Sequence, residues 1–396
     1  MTLILSIALA LRLIFINQSL WLDESIEALA LQGHFGPLLS YSLSDFQPPL
    51  YHFILKLWTS IAGYSEVSLR IPSLLAGIFT VYFVVKIGEL IGSKKVGVIA
   101  GLLAATNPLL IYYSGEGRTY VMTAFLVAAS FYFFIKILKS KNHDLRSTIY
   151  YLVFTTAFLW TSYLSWFVLI MQGLYAIYYK RQGLLLVQFV AASTLLLWLP
   201  SLINSLTIGM NDARLVPGWG KVVGGTSLKA LALTWVKANI GRISFDDKYL
   251  YAGIVSLLAV LHGYVLARLE YKKISLLTLW ILVPIVLGSL ISLFVPAYSY
   301  TRVLFIVPAY LLILALGLSR LRSGFMYLVI AAQIIFLVFY WVSQQFHKED
   351  WRSLTAYLNA QSGTVVLPSL KQDAPFIYYG LTLPLLASND PSLTSD

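Results

Sequence analysis

The chain contains no cysteine, which excludes disulfide bridges, thiolate metal sites and cysteine nucleophiles and says nothing about compartment. Charge is scarce too. Only 11% of the 396 residues are charged, and just 17 are acids. With 59% hydrophobic residues arranged in repeated apolar runs of about twenty, the chain does not have the composition of a soluble domain. The expected fold class is an all-α polytopic membrane protein.

Apolar runs set between breaks place spans near residues 2–17, 69–91, 96–112, 120–138, 148–162, 163–179, 184–203, 249–267, 274–294, 302–318 and 324–342. That predicts about eleven helices. The first run has no basic leader, carries Arg12 and lacks a small-residue cleavage site, so it is expected to be a span and not a signal peptide. The basic loops Ser93-Lys94-Lys95, Lys139 to Arg146, Lys180-Arg181, Arg268 to Lys273 and Arg320 to Arg322 then fall on one side, which the positive-inside rule makes cytoplasmic. With Lys86 and Lys136 these loops hold 14 of the 28 bases and, counting Glu89, Asp144 and Glu270, 3 of the 17 acids. This is the whole formal charge of +11. The basic balance therefore reflects topology and not nucleic-acid binding. The N-terminus is expected in the cytoplasm.

Residues 18–68 form the first outer loop. Between Pro49 and Ala62, Leu50, Phe53, Ile54, Leu57, Trp58 and Ile61 recur at helical spacing opposite His52, Lys56, Thr59 and Ser60, as in a helix lying along the membrane surface. Ile26 to Gln32 suits another short helix stopped by Gly33. A second long outer loop, 204–248, contains the amphipathic stretch Leu228 to Ile240. The domain reading is thus a membrane domain over 1–342 and a small extracytoplasmic tail over 343–396. In that tail Asp350-Trp351-Arg352 opens a short helix, Gly363 turns the chain and Thr364 to Leu367 reads as a strand. Residues 387–396 have the composition of a disordered end.

Two adjacent acids, Asp23 and Glu24, stand just beyond the first span in a chain that has few acids. As a neighbouring pair in a partly apolar cleft they are expected to titrate together. A purely structural reading makes Asp23 a helix N-cap, with Glu24 favoured by the dipole. Three arginines defy the inside bias at outer helix ends: Arg70, Arg118 and Arg302. A guanidinium never deprotonates and offers a fork of donors, which suits a phosphate at headgroup level; snorkelling or pairing with an acid such as Glu116 is the plainer alternative. Glu116 and Tyr120 flank Arg118 in a turn freed by Gly115 and Gly117. His52 and Asp45 are further candidates for substrate binding. Glu27, His34 and Asp45 are close enough in sequence to imagine a divalent metal, but no ligand spacing is diagnostic, so no metal site and no cofactor is assigned.

Leu11-Arg12-Leu13, Leu20-Trp21-Leu22-Asp23-Glu24, Gln47-Pro48-Pro49-Leu50-Tyr51, Leu69-Arg70-Ile71-Pro72-Ser73, Asn107-Pro108 and Tyr113-Ser114-Gly115-Glu116-Gly117-Arg118-Thr119-Tyr120 follow one another in order. This series resembles the GT-C glycosyltransferases of the protein O-mannosyltransferase and aminoarabinose-transferase type. Arg302 to Pro308 and Lys348-Glu349-Asp350-Trp351-Arg352 are similar to patterns in bacterial and archaeal members. The chain departs from the larger members in its small tail.

The resemblance implies a GT-C bundle that transfers a sugar from a polyprenyl-phosphate donor to a protein, lipid or glycan acceptor on the outer face of the membrane. In that chemistry Asp23 takes the proton of the attacking hydroxyl, Glu24 supports it, and Arg70, Arg118 and Arg302 stabilise the leaving phosphate. One well-placed base predicts direct displacement with inversion. The competing readings are a flippase or transporter of lipid-linked sugars and a glycan polymerase or ligase. Carriers place their charges near the bilayer midplane in paired repeats; these charges cluster at outer helix ends.

Overall fold

The computed structural model of the chain describes residues 1–140, 144–215, 224–269, 271–369 and 372–388. Lys141, part of the 204–248 loop and the end of the tail lie outside the described residues. In chain order the helices begin with α1 (Thr2–Leu13), α2 (Leu22–Gln32), α3 (Phe35–Ser44), α4 (Leu50–Ala62), α5 (Glu66–Ile91), α6 (Lys94–Thr106), α7 (Pro108–Ser114), α8 (Thr119–Lys139), α9 (Leu145–Leu159) and α10 (Trp166–Tyr178). Then come α11 (Gln182–Ser193), which runs through a tight turn of helix into α12 (Leu199–Leu215), α13 (Leu228–Ile240), α14 (Lys248–Leu266), α15 (Tyr271–Ile291), α16 (Val307–Leu318) and α17 (Ser323–Val342). The tail holds α18 (Trp351–Asn359), α19 (Ala374–Tyr378) and two short parallel strands, β1 (Val365–Leu367) and β2 (Leu385–Ala387).

Six helices are long and apolar enough to cross a bilayer, α6 and α7 form one span bent by 58°, and Thr2–Leu13, Tyr163–Tyr178 and Leu304–Leu318 are shorter apolar helices. With α9 they coincide with the eleven expected segments. The protein is a multi-pass membrane protein. The helix begun at Gln182 runs on past the expected end at 203, and α3 was not foreseen as a helix.

One end of the bundle is tied together by the basic loops. Lys95 Nζ donates to the Ser319 carbonyl (2.8 Å), Arg181 to Leu138 (3.0 Å), Arg320 to Arg268 (2.9 Å) and Lys139 to Leu90. These cations meet carbonyls at helix C-termini, where the helix dipole favours positive charge. The acids of α2, Asp45 just after α3 and Glu116 in the turn before α8 gather elsewhere, around the cavity described below.

The bend between α6 and α7 positions that turn. Pro108 has no N–H, so the Ala104 carbonyl loses its helical donor. Arg12, fully buried from α1, supplies replacements: it donates to Ala104 O (3.3 Å), Ala105 O (3.2 Å), Ala8 O (3.0 Å) and Ser114 Oγ (3.0 Å). A buried guanidinium is tolerated because carbonyls consume its donors. Asn107 caps α7 through Leu110 N and donates to Ala238 O, fastening the end of α13 at the same break. Gly241 follows with φ +72°, and a Cβ there would lie 2.8 Å from Pro108, so only glycine permits this approach.

Helix α4 shows how the surroundings invert a familiar pattern. Its polar residues His52 and Thr59 are buried with Tyr51 and Leu55, whereas Leu57 is 70% and Ile61 88% exposed. A helix that turns apolar side chains outward suits lipid contact on that face.

Candidate active site

Helix α2 begins at Leu22 with Trp21 as its N-cap, so Asp23 lies inside the first turn and is not the cap. Successive helical residues point about 100° apart. The acid pair is therefore split. Asp23 lines a cavity of about 1090 Å³ with its side chain 37% exposed, while Glu24 turns inward and is buried.

Glu24 sits among five donors. Arg70 Nε reaches Oε1 (2.9 Å) and its NH2 reaches Oε2 (2.6 Å). Gly117 N donates to Oε1 (2.7 Å), Lys348 Nζ to Oε2 (2.9 Å), and Trp21 N to Oε2 (3.4 Å). Burial would raise the carboxyl, but Lys348 and Arg70, with Gly117, outweigh it and hold it at about 2. The expectation that the two acids act as one pair in a shared cleft is thus corrected, since Glu24 is spent on Arg70, Lys348 and Gly117 away from the cavity.

Arg70 requires correction as well. NH1 donates to the carbonyls of Ile16 and Gln18 and the second N–H of NH2 to that of Ser19, and Arg70 is absent from the cavity wall. No donor is left for a phosphate. Its chemistry is that of a rivet between α5, the end of the first span and α2.

Arg118 and Arg302 are different, since both line the cavity. Arg118 is paired only loosely, with Asp23 at 3.7 Å, Glu27 at 3.8 Å and Tyr41 Oη at 3.5 Å, and its Nε is buried without a partner among the described residues. Arg302 spends NH1 on the carbonyls of Pro296 (3.2 Å) and Ala297 (3.1 Å). Two guanidiniums with donors to spare make this wall attractive to an anion.

Behind Arg118 lies His52, which is buried and not on the cavity wall, contrary to the expectation that it touches substrate. Its Nδ1 is 2.6 Å from Glu27 Oε1 and its Nε2 3.1 Å from Asp45 Oδ2. With a carboxylate on each ring nitrogen both must donate, so the ring is an imidazolium. Burial opposes the charge, but Glu27 and Asp45 lift the pKa to about 9. Asp45 and Tyr120 do line the cavity. Among the described residues no three metal-binding side chains are grouped as metal ligands, and the Glu27, His52 and Asp45 contacts are spent on one another.

Glu116 is on the cavity wall and 2% exposed. Burial pushes it up to about 7; Lys348 opposes that rise, Glu24 adds to it, and Arg242 and Arg118 oppose it. Arg242 and Lys229 complete the polar wall and were not foreseen. Arg242 donates to Tyr300 Oη (3.1 Å) and Tyr113 Oη (3.4 Å) and lies 5.1 Å from the Tyr112 ring centroid. Its signal in the sequence was a further arginine outside the basic loops, just after the helix stop at Gly241.

A second cavity, about 240 Å³, adjoins the first and shares Phe46, Gln47 and Arg302 with it. Its other walls are apolar, with Leu164, Phe167, Leu202, Leu206 and Ile291 among them. An apolar slot thus opens beside a charged chamber, with Arg302 at the boundary.

This helical bundle with a charged chamber at one end has the GT-C fold. Residues 46–206 match the family model described as dolichyl-phosphate-mannose-protein mannosyltransferase. Among solved structures, ArnT from Cupriavidus metallidurans in the apo state superposes with a TM-score of 0.64 at 11% identity, over 98% of this chain and 85% of that one. The same protein bound to undecaprenyl phosphate gives 0.59 at 11% identity, over 98% and 86%. The archaeal oligosaccharyltransferase AglB from Archaeoglobus fulgidus, in complex with an inhibitory peptide and a dolichol-phosphate, gives 0.53 at 13% identity; 98% of this chain is covered and 60% of that one. No curated protein sequence matches the chain.

Proposed function

We propose that the protein is a glycosyltransferase that moves a sugar from a polyprenyl-phosphate carrier to an acceptor on the extracytoplasmic face of the membrane. The observation that carries this reading is the junction of the two cavities. An apolar slot suited to a prenyl chain meets, at Arg302, a chamber of about 1090 Å³ whose wall bears Asp23 and Arg118. The matching family model and the undecaprenyl phosphate held by the ArnT relative support the same donor class.

In this reading the lipid phosphate lies against Arg302 and Arg118, whose spare donors stabilise the charge that grows as the sugar–phosphate bond breaks. Asp23 accepts the proton of the acceptor hydroxyl as its oxygen attacks the anomeric carbon. The bonding pair of the sugar–phosphate bond leaves with the polyprenyl phosphate, and the anomeric configuration inverts. Glu24 holds Arg70 and the first turn of α2; Asp45 is held by His52; Glu116, Tyr120 and Arg242 face the sugar or the acceptor. The bundle over residues 1–342 is the catalytic domain. With its basic loops in the cytoplasm, the chamber, the N-terminal outer loop and the tail are extracytoplasmic.

Radiolabelled polyprenyl-phosphate sugar incubated with purified protein in lipid tests the reading. Transfer of label with release of lipid phosphate is expected. Sugar lipid that only changes leaflet makes the protein a flippase instead.

A further inference from the structure

We propose that the chain after the last span is part of the catalytic centre, and that Lys348 is a positioning residue that fixes the turn of α2 bearing Asp23 and the turn bearing Glu116 and Arg118. The inference rests on the glycosyl-transfer reading for its functional consequence and on geometry for its cause.

Lys348 comes from the segment joining α17 to α18, more than 300 residues from Glu24 in sequence, and its side chain is 4% exposed. The ammonium bridges two pieces of the site. It donates to Glu24 Oε2 (2.9 Å), next to Asp23, and to the Gly115 carbonyl (3.0 Å), next to Glu116. Glu24 in turn accepts from Gly117 N (2.7 Å). The α2 turn and the 115–118 turn are thus tied to each other through one carboxylate and one ammonium. Neither Lys348 nor Glu24 lines the chamber, so both act through their neighbours.

The rest of the tail holds that ammonium in place. Arg352 donates to Glu66 Oε1 (2.7 and 3.1 Å), its NH2 reaches Asn17 O (3.3 Å), and its backbone N reaches Ser19 Oγ (3.2 Å). Tyr379 Oη accepts from Leu20 N (2.8 Å) and donates to Glu66 Oε1 (3.1 Å), and Tyr378 Oη donates to Tyr64 O (2.6 Å). These anchors fall on both sides of the acid pair. A tail needed only for folding does not need a buried cation at the acid pair, because desolvation offsets the attraction within a buried ion pair and leaves little net stability.

The positive charge also acts on the chamber. Glu116 is faced by Lys348, Glu24, Arg242 and Arg118, and Lys348 is the strongest of the influences that lower its pKa. Removing the ammonium therefore raises Glu116 further and changes the charge on the chamber wall near neutral pH.

The full-length protein with Lys348→Met, compared with Lys348→Arg and wild type, tests this. In Lys348→Met, kcat is expected to fall at least tenfold with the donor KM changed less than about twofold. Lys348→Arg restores most of the lost kcat. Hydrogen exchange at residues 19–32 and 112–120, which needs no activity, is expected to quicken in Lys348→Met. If Lys348→Met does not fold, Lys348→Gln gives the same readings. Unchanged exchange in a folded variant, or wild-type kcat, overturns the proposal. A wild-type protein that transfers no sugar while the exchange effect is present overturns only the glycosyl-transfer reading.

Discussion

At the scale of single residues the site is a sorting of charges into spent and spare. Arg70 and Arg118 look alike in the sequence, each an arginine at an outer helix end. Arg70 gives its donors to Glu24 and three carbonyls, and Arg118 retains a buried Nε with no partner among the described residues. The difference lies in residues 46 to 54 positions away, so local pattern does not reveal it. The place of Asp23 on the chamber wall was legible from its position beyond the first span, and that of Arg302 from its defiance of the charge bias. The partners of His52 were not, because a helix face that looks solvent-exposed in water is the inward face in lipid. Arg118→Ala and Arg302→Ala are each expected to raise the donor KM about tenfold or more while the protein stays folded, since each removes charge-assisted donors to the phosphate. Steady-state kinetics over a range of lipid donor checks this.

Glu116 supplies a pH prediction with a definite sign. Its folded pKa of about 7 lies above the ordinary 4.5, so the fold disfavours its ionised form. The associated stability is complete below about 4.5 and is lost as the pH rises through 7. Glu24, held at about 2, does the reverse, and its contribution disappears as the pH falls from 4.5 towards 2. Between pH 5 and 8 only Glu116 of the two titrates. The melting temperature in detergent is expected to drop over that range in wild type and to drop less in Glu116→Gln; equal slopes refute the assignment.

At the scale of elements, the spans were readable because a bilayer forces long apolar runs into helices with internally satisfied backbones. In the tail the helix opened by Trp351 and the strand at Val365–Leu367 were readable, whereas α19 and β2 were not, and Ala387, expected in a disordered end, pairs in β2. What the runs did not convey was the break inside one span. Asn107-Pro108 marks the bend, but the device that makes it tolerable is Arg12 in another helix. Arg12→Met strips donors from Ala104, Ala105 and Ser114 and is expected to lower stability by about 3 kcal/mol, on the scale of two or three lost buried hydrogen bonds. Thermal unfolding in detergent measures it. A variant as stable as wild type removes Arg12 from this role.

At the scale of the whole molecule, one charge asymmetry governs the layout. The basic loops meet at one end of the bundle, bound to each other's helix carbonyls, and Asp23, Asp45 and Glu116 line the chamber. The natural absence of cysteine makes the orientation directly testable, because single cysteines can be introduced into a silent background. Gln182→Cys, at the basic end, is expected to resist an impermeant thiol reagent in intact cells, and Ser353→Cys, in the tail, to react with it. The opposite pattern inverts the topology and removes the chamber from the extracytoplasmic face.

The account depends most on Asp23 as the group that takes the proton of the attacking hydroxyl. The direct measurement is transfer of label from a polyprenyl-phosphate sugar by Asp23→Asn, alongside donor binding by the same preparation. Loss of transfer by a factor of roughly 10² to 10⁴, with donor binding and melting temperature retained, is the predicted result. Transfer at the wild-type rate by a folded, donor-binding Asp23→Asn protein contradicts the mechanism.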